Sequence, residues 1–132
     1  MKGQSSLEFM FFMGFSFLIL VTLMSAVSLR QTEFAQRSNF VDARNIEENV
    51  AFQLEMAQAQ GEGYSRVFSL PARIAGSAYT VDVVNHTLLV DWGDNTRIGS
   101  TIYSGREIDF QVDDSTDFRV LHNDTGVFIV EE

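Results

Sequence analysis

Cysteine is absent from this 132-residue chain, so disulfides, thiolate catalysis and cysteine zinc sites are all excluded. Only one proline is present, and the two histidines, His86 and His122, stand far apart in the sequence. No HExxH, GxSxG or phosphate-binding glycine loop occurs. These absences favour a protein that is not an enzyme and that needs neither a metal nor a cofactor.

Positive charge is also scarce. Nine basic residues oppose eighteen acidic ones, giving a net charge of −9, which excludes nucleic acid as a partner. The acids are concentrated in residues 61–132, with twelve acids against five bases, whereas residues 1–60 hold six acids and four bases. An acidic part therefore follows a nearly balanced one, which indicates two different environments.

What the chain does contain is a long apolar run. Residues 9–29 (FMFFMGFSFLILVTLMSAVSL) hold no charge and no proline, and at about 1.5 Å per residue they can span a bilayer core of roughly 30 Å. A secretory signal cut near Ala26–Ser28 and a plain signal anchor are two alternative interpretations. Basic residues on both sides of the run leave its orientation undecided.

The residues before this run, Lys2-Gly3-Gln4-Ser5-Ser6-Leu7-Glu8-Phe9, resemble the class III signal peptide of archaeal type IV pilin-like proteins. The resemblance implies cleavage by a prepilin peptidase between Gly3 and Gln4, so that residues 1–3 are a leader and the apolar helix is retained. It further implies polymerisation by a pilus assembly platform and its ATPase. In this family the glutamate at the Glu8 position is thought to meet the free N-terminal amine of a neighbouring subunit.

The Glu8 carboxylate is expected to have a partner of opposite charge. A carboxylate in an apolar environment is costly unless an opposite charge approaches it. Cleavage would create an α-ammonium group on Gln4, which a staggered neighbour could bring level with Glu8. Gln4, Glu8, Phe9 and Phe12 are therefore the predicted assembly residues, and snorkelling of Glu8 into the headgroups is the alternative.

After the apolar run, residues 30–60 contain strong helix formers and neither proline nor glycine, and Gly61 and Gly63 are expected to end the helix. At 100° per residue this helix has two nearly opposite apolar faces. One holds Phe34, Val41, Phe52 and Met56, and the other holds Ile46, Val50, Leu54 and Ala57. Two partners, the protein's own head domain and a neighbouring subunit, would explain them; a single broad stripe is the alternative.

Residues 61–132 predict about seven short β-strands in an antiparallel meander or small sandwich, with one face docked on the helix. Ile108, Phe110 and Val112 alternate with polar neighbours, as in a half-buried strand. Tight hairpin turns are expected at Asn85-His86 and at Ser104-Gly105, and Asp91–Asp94 is expected to form a turn beside a packed Trp92. The predicted fold class is α+β.

Two further features lie in this β-rich part. The sequons Asn85-His86-Thr87 and Asn123-Asp124-Thr125 are candidate N-glycosylation sites at predicted turns. The acidic residues Asp109, Asp113, Asp114 and Asp117 lack the spacing of a calcium loop, so a solvated turn is expected there rather than a metal site.

The sequence thus predicts a leader (1–3), a long helix (4–60) whose apolar part (9–29) is membrane anchor and filament core, and an extracellular β-rich head (61–132). The expected function is a structural subunit of a surface filament that resides in the cell membrane before assembly, and the family resemblance implies a use in adhesion. Two alternatives remain open: a minor pilin or pseudopilin of a secretion-type system, and a monomeric membrane-anchored binding domain.

Overall fold

The computed structural model describes residues 2–114 and 116–132, with side chains from Gly3 onward. One helix precedes seven strands: α1 (Lys2–Gln60), β1 (Ser65–Ser69), β2 (Tyr79–Val84), β3 (Thr87–Trp92), β4 (Asn95–Ser100), β5 (Ile108–Val112), β6 (Asp117–Asn123) and β7 (Gly126–Glu131). The α+β prediction is confirmed. The chain divides into two compact units, Met1–Ser38 and Asn39–Glu132, so that the second unit begins within α1.

The C-terminal end of α1 lies where the glycines predict it. The helix stops at Gln60, and both Gly61 and Gly63 adopt positive φ angles, of 80° and 90°. The Gly61 N–H donates to the Ala57 carbonyl at 3.2 Å, and the Gly63 N–H donates to the His122 carbonyl at 2.9 Å. Because glycine tolerates this left-handed conformation, the chain can leave the helix and enter the sheet within a few residues.

The two apolar faces of α1 have different environments in the second unit. Ile46, Val50, Leu54 and Ala57 are at most 1% exposed and form part of the core. On the other face Val41 is 55% exposed and Phe52 is 49% exposed. One apolar face is therefore buried in the core, whereas Val41 and Phe52 on the other face stay exposed.

All seven predicted strands are present, and they form two antiparallel sheets with the orders β1-β6-β7 and β4-β3-β2-β5. Asn85-His86 is the predicted hairpin turn, with φ values of 47° and 69° at its two central residues, as a type I′ turn requires. Trp92 is buried at the end of β3, with its ring 5.4 Å from that of Phe40 in an edge-to-face contact.

The second predicted hairpin, at Ser104-Gly105, is wrong. β4 already ends at Ser100, and β5 pairs with β2 at the opposite edge of the four-stranded sheet. Residues 101–107 therefore cross from one edge to the other, and Gly105 makes room for the Tyr103 side chain, which a Cβ at this position would overlap.

Polar side chains of α1 contact β4 and the loop that follows it. Glu47 forms an ion pair with Arg97 at 2.6 Å. Further along α1, Glu55 accepts hydrogen bonds from the Thr101 hydroxyl at 2.9 Å and the Ile102 N–H at 3.0 Å, and Gln58 accepts one from the Ser104 N–H at 3.1 Å. These contacts hold β4 and the following loop against α1. The loop residues bind the helix and do not pair with a neighbouring strand, as a hairpin would require.

The contact between Glu47 and β4 depends on Gly99. A Cβ at Gly99 would overlap the carboxyl group of Glu47. The Glu47 side chain is only 12% exposed. We expect Gly99→Ala to separate Glu47 from Arg97 and to lower the free energy of unfolding by roughly 2 kcal/mol. Urea denaturation followed by fluorescence of Trp92, the single tryptophan, measures this. Ser100→Ala is the control, and an equal loss in both variants would contradict the proposed role of Gly99.

Candidate functional site

The apolar part of α1 is uncovered within its own unit. Every residue of the run 9–29 is exposed, and large side chains such as Phe9 (64%), Phe12 (72%) and Met24 (68%) show most of their surface. Among the described residues, α1 is the one helix long and apolar enough to cross a membrane. A helix that is apolar on all sides needs lipid or other apolar helices around it.

Three of the four hydroxyl side chains in residues 9–29 form hydrogen bonds within the helix itself. The side chains of Thr22, Ser25 and Ser28 each donate to the backbone carbonyl four residues earlier, at 2.8, 2.9 and 3.0 Å. Such internal hydrogen bonds leave the segment compatible with a medium that offers no donors or acceptors. Their pattern therefore agrees with membrane insertion.

Unlike these hydroxyl groups, the Glu8 carboxylate is not paired within the helix. It is exposed and forms no ion pair with any described side chain. Gln4, Glu8 and Phe12 follow one another at intervals of four and so lie on one face of α1. A shallow groove is lined by Glu8, Phe11, Phe12 and Phe15. The structure thus brings the predicted assembly residues Gln4, Glu8 and Phe12 to one surface, with Phe9 next to Glu8 on the adjoining face.

The predicted scissile bond, between Gly3 and Gln4, lies in the first turn of α1, which begins at Lys2. Both residues are exposed, and a Cβ built on Gly3 would meet nothing within 4 Å. The first turn of a helix lacks half of its backbone hydrogen bonds and can open locally. The bond is therefore sterically accessible to a peptidase.

A second groove adjoins the first. It is centred on Gly14 and lined by Leu7, Met10, Phe11, Gly14, Phe15 and Leu18. A lone glycine among phenylalanines is the sequence signal for this groove. Glycine here has no strained backbone to relieve, since it lies within a regular helix.

The two candidate glycosylation residues, Asn85 and Asn123, are exposed. Asn85 occupies the first central position of the β2–β3 turn. Asn123 ends β6, and its side-chain oxygen accepts hydrogen bonds from the Thr125 N–H at 3.0 Å and the Thr125 hydroxyl at 2.6 Å. Both sequons therefore lie where the sequence placed them, at hairpin ends.

The acidic cluster predicted near residue 113 is divided by the fold. Asp113 and Asp114 lie 3.4 and 3.3 Å from the Arg73 guanidinium, and Asp117 accepts a hydrogen bond from the Ser69 hydroxyl at 2.7 Å. Ser115, between them, lies outside the described residues. Across residues 2–114 and 116–132, no three His, Asp or Glu side chains converge as a metal site requires.

Asp109 belongs to a different surface, the outer face of the four-stranded sheet, where it lies directly opposite Asp82. Asp82 also has Leu89 as its neighbour on β3. Partial burial, together with the charges of Asp109 and Asp91, raises the pKa of Asp82 above its usual value. This face is consequently a concentration of negative charge.

Comparison with known proteins identifies no relative: no family model matches the chain, and no curated protein or solved structure matches it. The function must therefore be inferred from the residues and their geometry.

Asp82 gives the head a defined pH dependence. Because its pKa is raised on folding, its ionisation opposes folding, so this contribution lowers stability as the pH rises above about 4. We expect Asp82→Asn to raise the free energy of unfolding at pH 7 by roughly 0.5 kcal/mol, and the gain to vanish at pH 3. Denaturation at both pH values measures this, with Asp94→Asn as the control. A gain that is independent of pH would contradict the electrostatic cause.

Proposed function

We propose that this chain is a structural subunit of a type IV pilus-like surface filament and that it does not catalyse a reaction. The observation that carries the proposal is the apolar surface of residues 9–29, which is uncovered on all sides within its own unit and is bordered by the carboxylate of Glu8. The resemblance of residues 2–9 to a class III signal peptide supports it. The segment would lie in the membrane first and then among identical helices in the filament.

Glu8 would fix the axial position of each incoming subunit. Removal of residues 1–3 leaves an α-ammonium group on Gln4, and in a neighbour displaced along the helix axis this group comes level with Glu8. In a low-dielectric environment an ion pair holds only when both charges are present and well placed. Correctly staggered subunits would therefore be favoured over all other arrangements.

The open face of α1 in the second unit supports the same proposal. Val41 and Phe52 are about half exposed on the side away from the core, and a neighbouring subunit would cover them. The partners that the proposal implies are further copies of the chain, a prepilin peptidase, and an assembly platform with its ATPase. Adhesion is the proposed use of the filament and rests on the family resemblance.

A monomeric, membrane-anchored binding domain is the candidate from another class, and a minor pilin or pseudopilin is the candidate within the same class. An anchor alone requires lipid around residues 9–29 and gives no reason for a carboxylate directly beside that segment. The abundance of this chain in sheared filaments separates the three candidates. A main subunit would be the major component, a minor pilin would be a trace component, and a monomeric anchored domain would be absent.

Processing provides the first test. We expect the mature protein to begin at Gln4, because the recognised bond precedes the apolar run, and Gly3→Val to block cleavage by placing a branched side chain at that bond. Mass spectrometry of the intact protein measures the loss of three residues. A mature protein beginning near Leu29 would instead establish the secretory-signal interpretation.

Mass spectrometry of peptides from native protein reports on the head domain. An extracellular head predicts additional glycan mass on peptides that contain Asn85 or Asn123, both of which are exposed. Unmodified peptides at both sequons in native material would remove the glycosylation hypothesis and leave the processing result unaffected.

Assembly provides the second test. Glu8→Gln keeps the size of the side chain and removes its charge, so the ammonium group of the neighbouring Gln4 would be buried without a partner. Breaking one member of such a pair costs roughly 3–5 kcal/mol, and the cost recurs at every subunit. We expect at least about tenfold fewer filaments per cell at matched levels of processed protein, counted by electron microscopy.

Glu33→Gln is the matched control, because it makes the same chemical change on an exposed turn of α1 outside the apolar run. It should leave the number of filaments unchanged. If Glu8→Gln also assembles normally, Glu8 only snorkels to the headgroups and the pairing mechanism is wrong, although the filament proposal would stand.

A further inference from the structure

The two sequons of the head differ in how the fold presents their threonines. A sequon requires Ser or Thr two residues after the asparagine, so an enzyme that transfers a glycan must contact both side chains. Asn85 and Asn123 are both exposed. The contrast between the two sites lies in the third residue of each sequon, Thr87 or Thr125.

The fold holds Thr87 inside the four-stranded sheet. Thr87 begins β3, where it pairs with Val84 of β2 on one side and with Ser100 of β4 on the other, and it is half-buried. The carbonyl of the preceding residue, His86, accepts a hydrogen bond from the Thr101 N–H at 3.0 Å. Binding of this sequon in an enzyme cleft would therefore require contacts with strands on both sides to break.

Thr125 lies instead at the tip of the β6–β7 hairpin. Asn123 pairs with Gly126 as the last pair of these strands, so that Asp124 and Thr125 form the turn between them. All three residues of this sequon are exposed. The strand order β1-β6-β7 makes β7 an edge strand, so opening the tip disturbs one strand pair and leaves the rest of the sheet in place. Local opening of this kind costs less than unfolding of a sheet interior.

The side chains of Asn123 and Thr125 are already in contact with each other. The Asn123 Oδ1 atom accepts hydrogen bonds from the Thr125 N–H at 3.0 Å and from the Thr125 hydroxyl at 2.6 Å. The nitrogen that would carry a glycan, Nδ2, takes part in neither bond. The hairpin tip therefore presents the two residues that the sequon requires as one exposed unit.

We propose that the folded head offers Asn123, and not Asn85, for N-linked glycosylation, with a lipid-linked oligosaccharide as the donor. The Nδ2 nitrogen attacks the anomeric carbon of the first sugar, and the bond from that carbon to the phosphate oxygen breaks. The lipid phosphate leaves with the bonding electron pair, and one amide proton passes to solvent. The choice of Asn123 rests on the extracellular head of the proposed function and does not depend on filament formation.

Glycan transfer to the folded, full-length chain in detergent micelles tests this preference. A single-subunit oligosaccharyltransferase and its lipid-linked oligosaccharide are added, and occupancy is followed over time by mass spectrometry of tryptic peptides. Trypsin separates the two sequons, because Arg97, Arg106 and Arg119 lie between them. Synthetic peptides of residues 80–92 and 118–130 give the rate at each sequon without the fold.

We expect the folded chain to be modified at least about tenfold faster at Asn123 than at Asn85, after each rate is divided by that of its peptide. Thr125→Ala should abolish transfer to Asn123 without redirecting it to Asn85. Thr125→Ser, which keeps the hydroxyl, should restore transfer to Asn123.

Equal normalised rates at the two sequons of the folded chain would overturn the proposal, as would transfer to Asn85 in Thr125→Ala. A folded chain that is unmodified at Asn123 while its peptide is modified would also overturn it, because the hairpin tip would then be closed to the enzyme. An unmodified peptide of either sequon would overturn it as well, since the local sequence and not the fold would then decide. Filaments enter none of these measurements, so a failure of the filament proposal would appear in the microscopy counts alone.

Discussion

Residues 9–29 present an apolar surface that the rest of their own unit does not cover, and most of the molecule's properties follow from this constraint. Water excludes such a helix, so it must be surrounded by lipid tails or by other apolar helices. Within lipid, packing between helices gains little from the hydrophobic effect, and close fit and polar pairs decide which contacts form. In the proposed filament, Glu8 at the border of this segment would provide the polar pair.

The second unit depends on a different constraint, which is the small size of its hydrophobic core. Residues 61–132 form two small sheets, and a segment of about 70 residues would by itself have a marginal core. The end of α1 contributes Ile46, Val50, Leu54 and Ala57 to that core, and it also binds the end of β4 and the following loop through Glu47, Glu55 and Gln58. Because the same helix supplies both apolar and polar contacts, the sheets and the helix are expected to fold as one cooperative unit.

Charge in the head has a consequence for association. Several of its arginines are already engaged within the chain, Arg73 with Asp113 and Asp114 and Arg97 with Glu47. The outer face of the four-stranded sheet keeps Asp82, Asp91 and Asp109. In the proposed filament, like charges on neighbouring heads would repel each other, so the attraction between copies would come mainly from the helices.

The sequence by itself determined the elements of this protein, because each depends on local chemistry. The apolar run, the end of α1 at Gly61, the seven strands and the Asn85-His86 turn follow from composition, periodicity and the backbone freedom of particular residues. The placement of Gln4, Glu8 and Phe12 on one face also follows from the helical repeat.

Only the tertiary structure decided how these elements meet. The strand order that carries residues 101–107 across the sheet, the close approach of Glu47 that requires Gly99, and the separation of Asp109 from Asp113 and Asp114 each depend on contacts between residues distant in sequence. Hydrophobic periodicity shows that a face is buried and leaves open which other face covers it, because burial free energy depends on area and not on the identity of the partner. The choice among possible partners was made by specific polar contacts and steric fit, which exist only once the chain is folded.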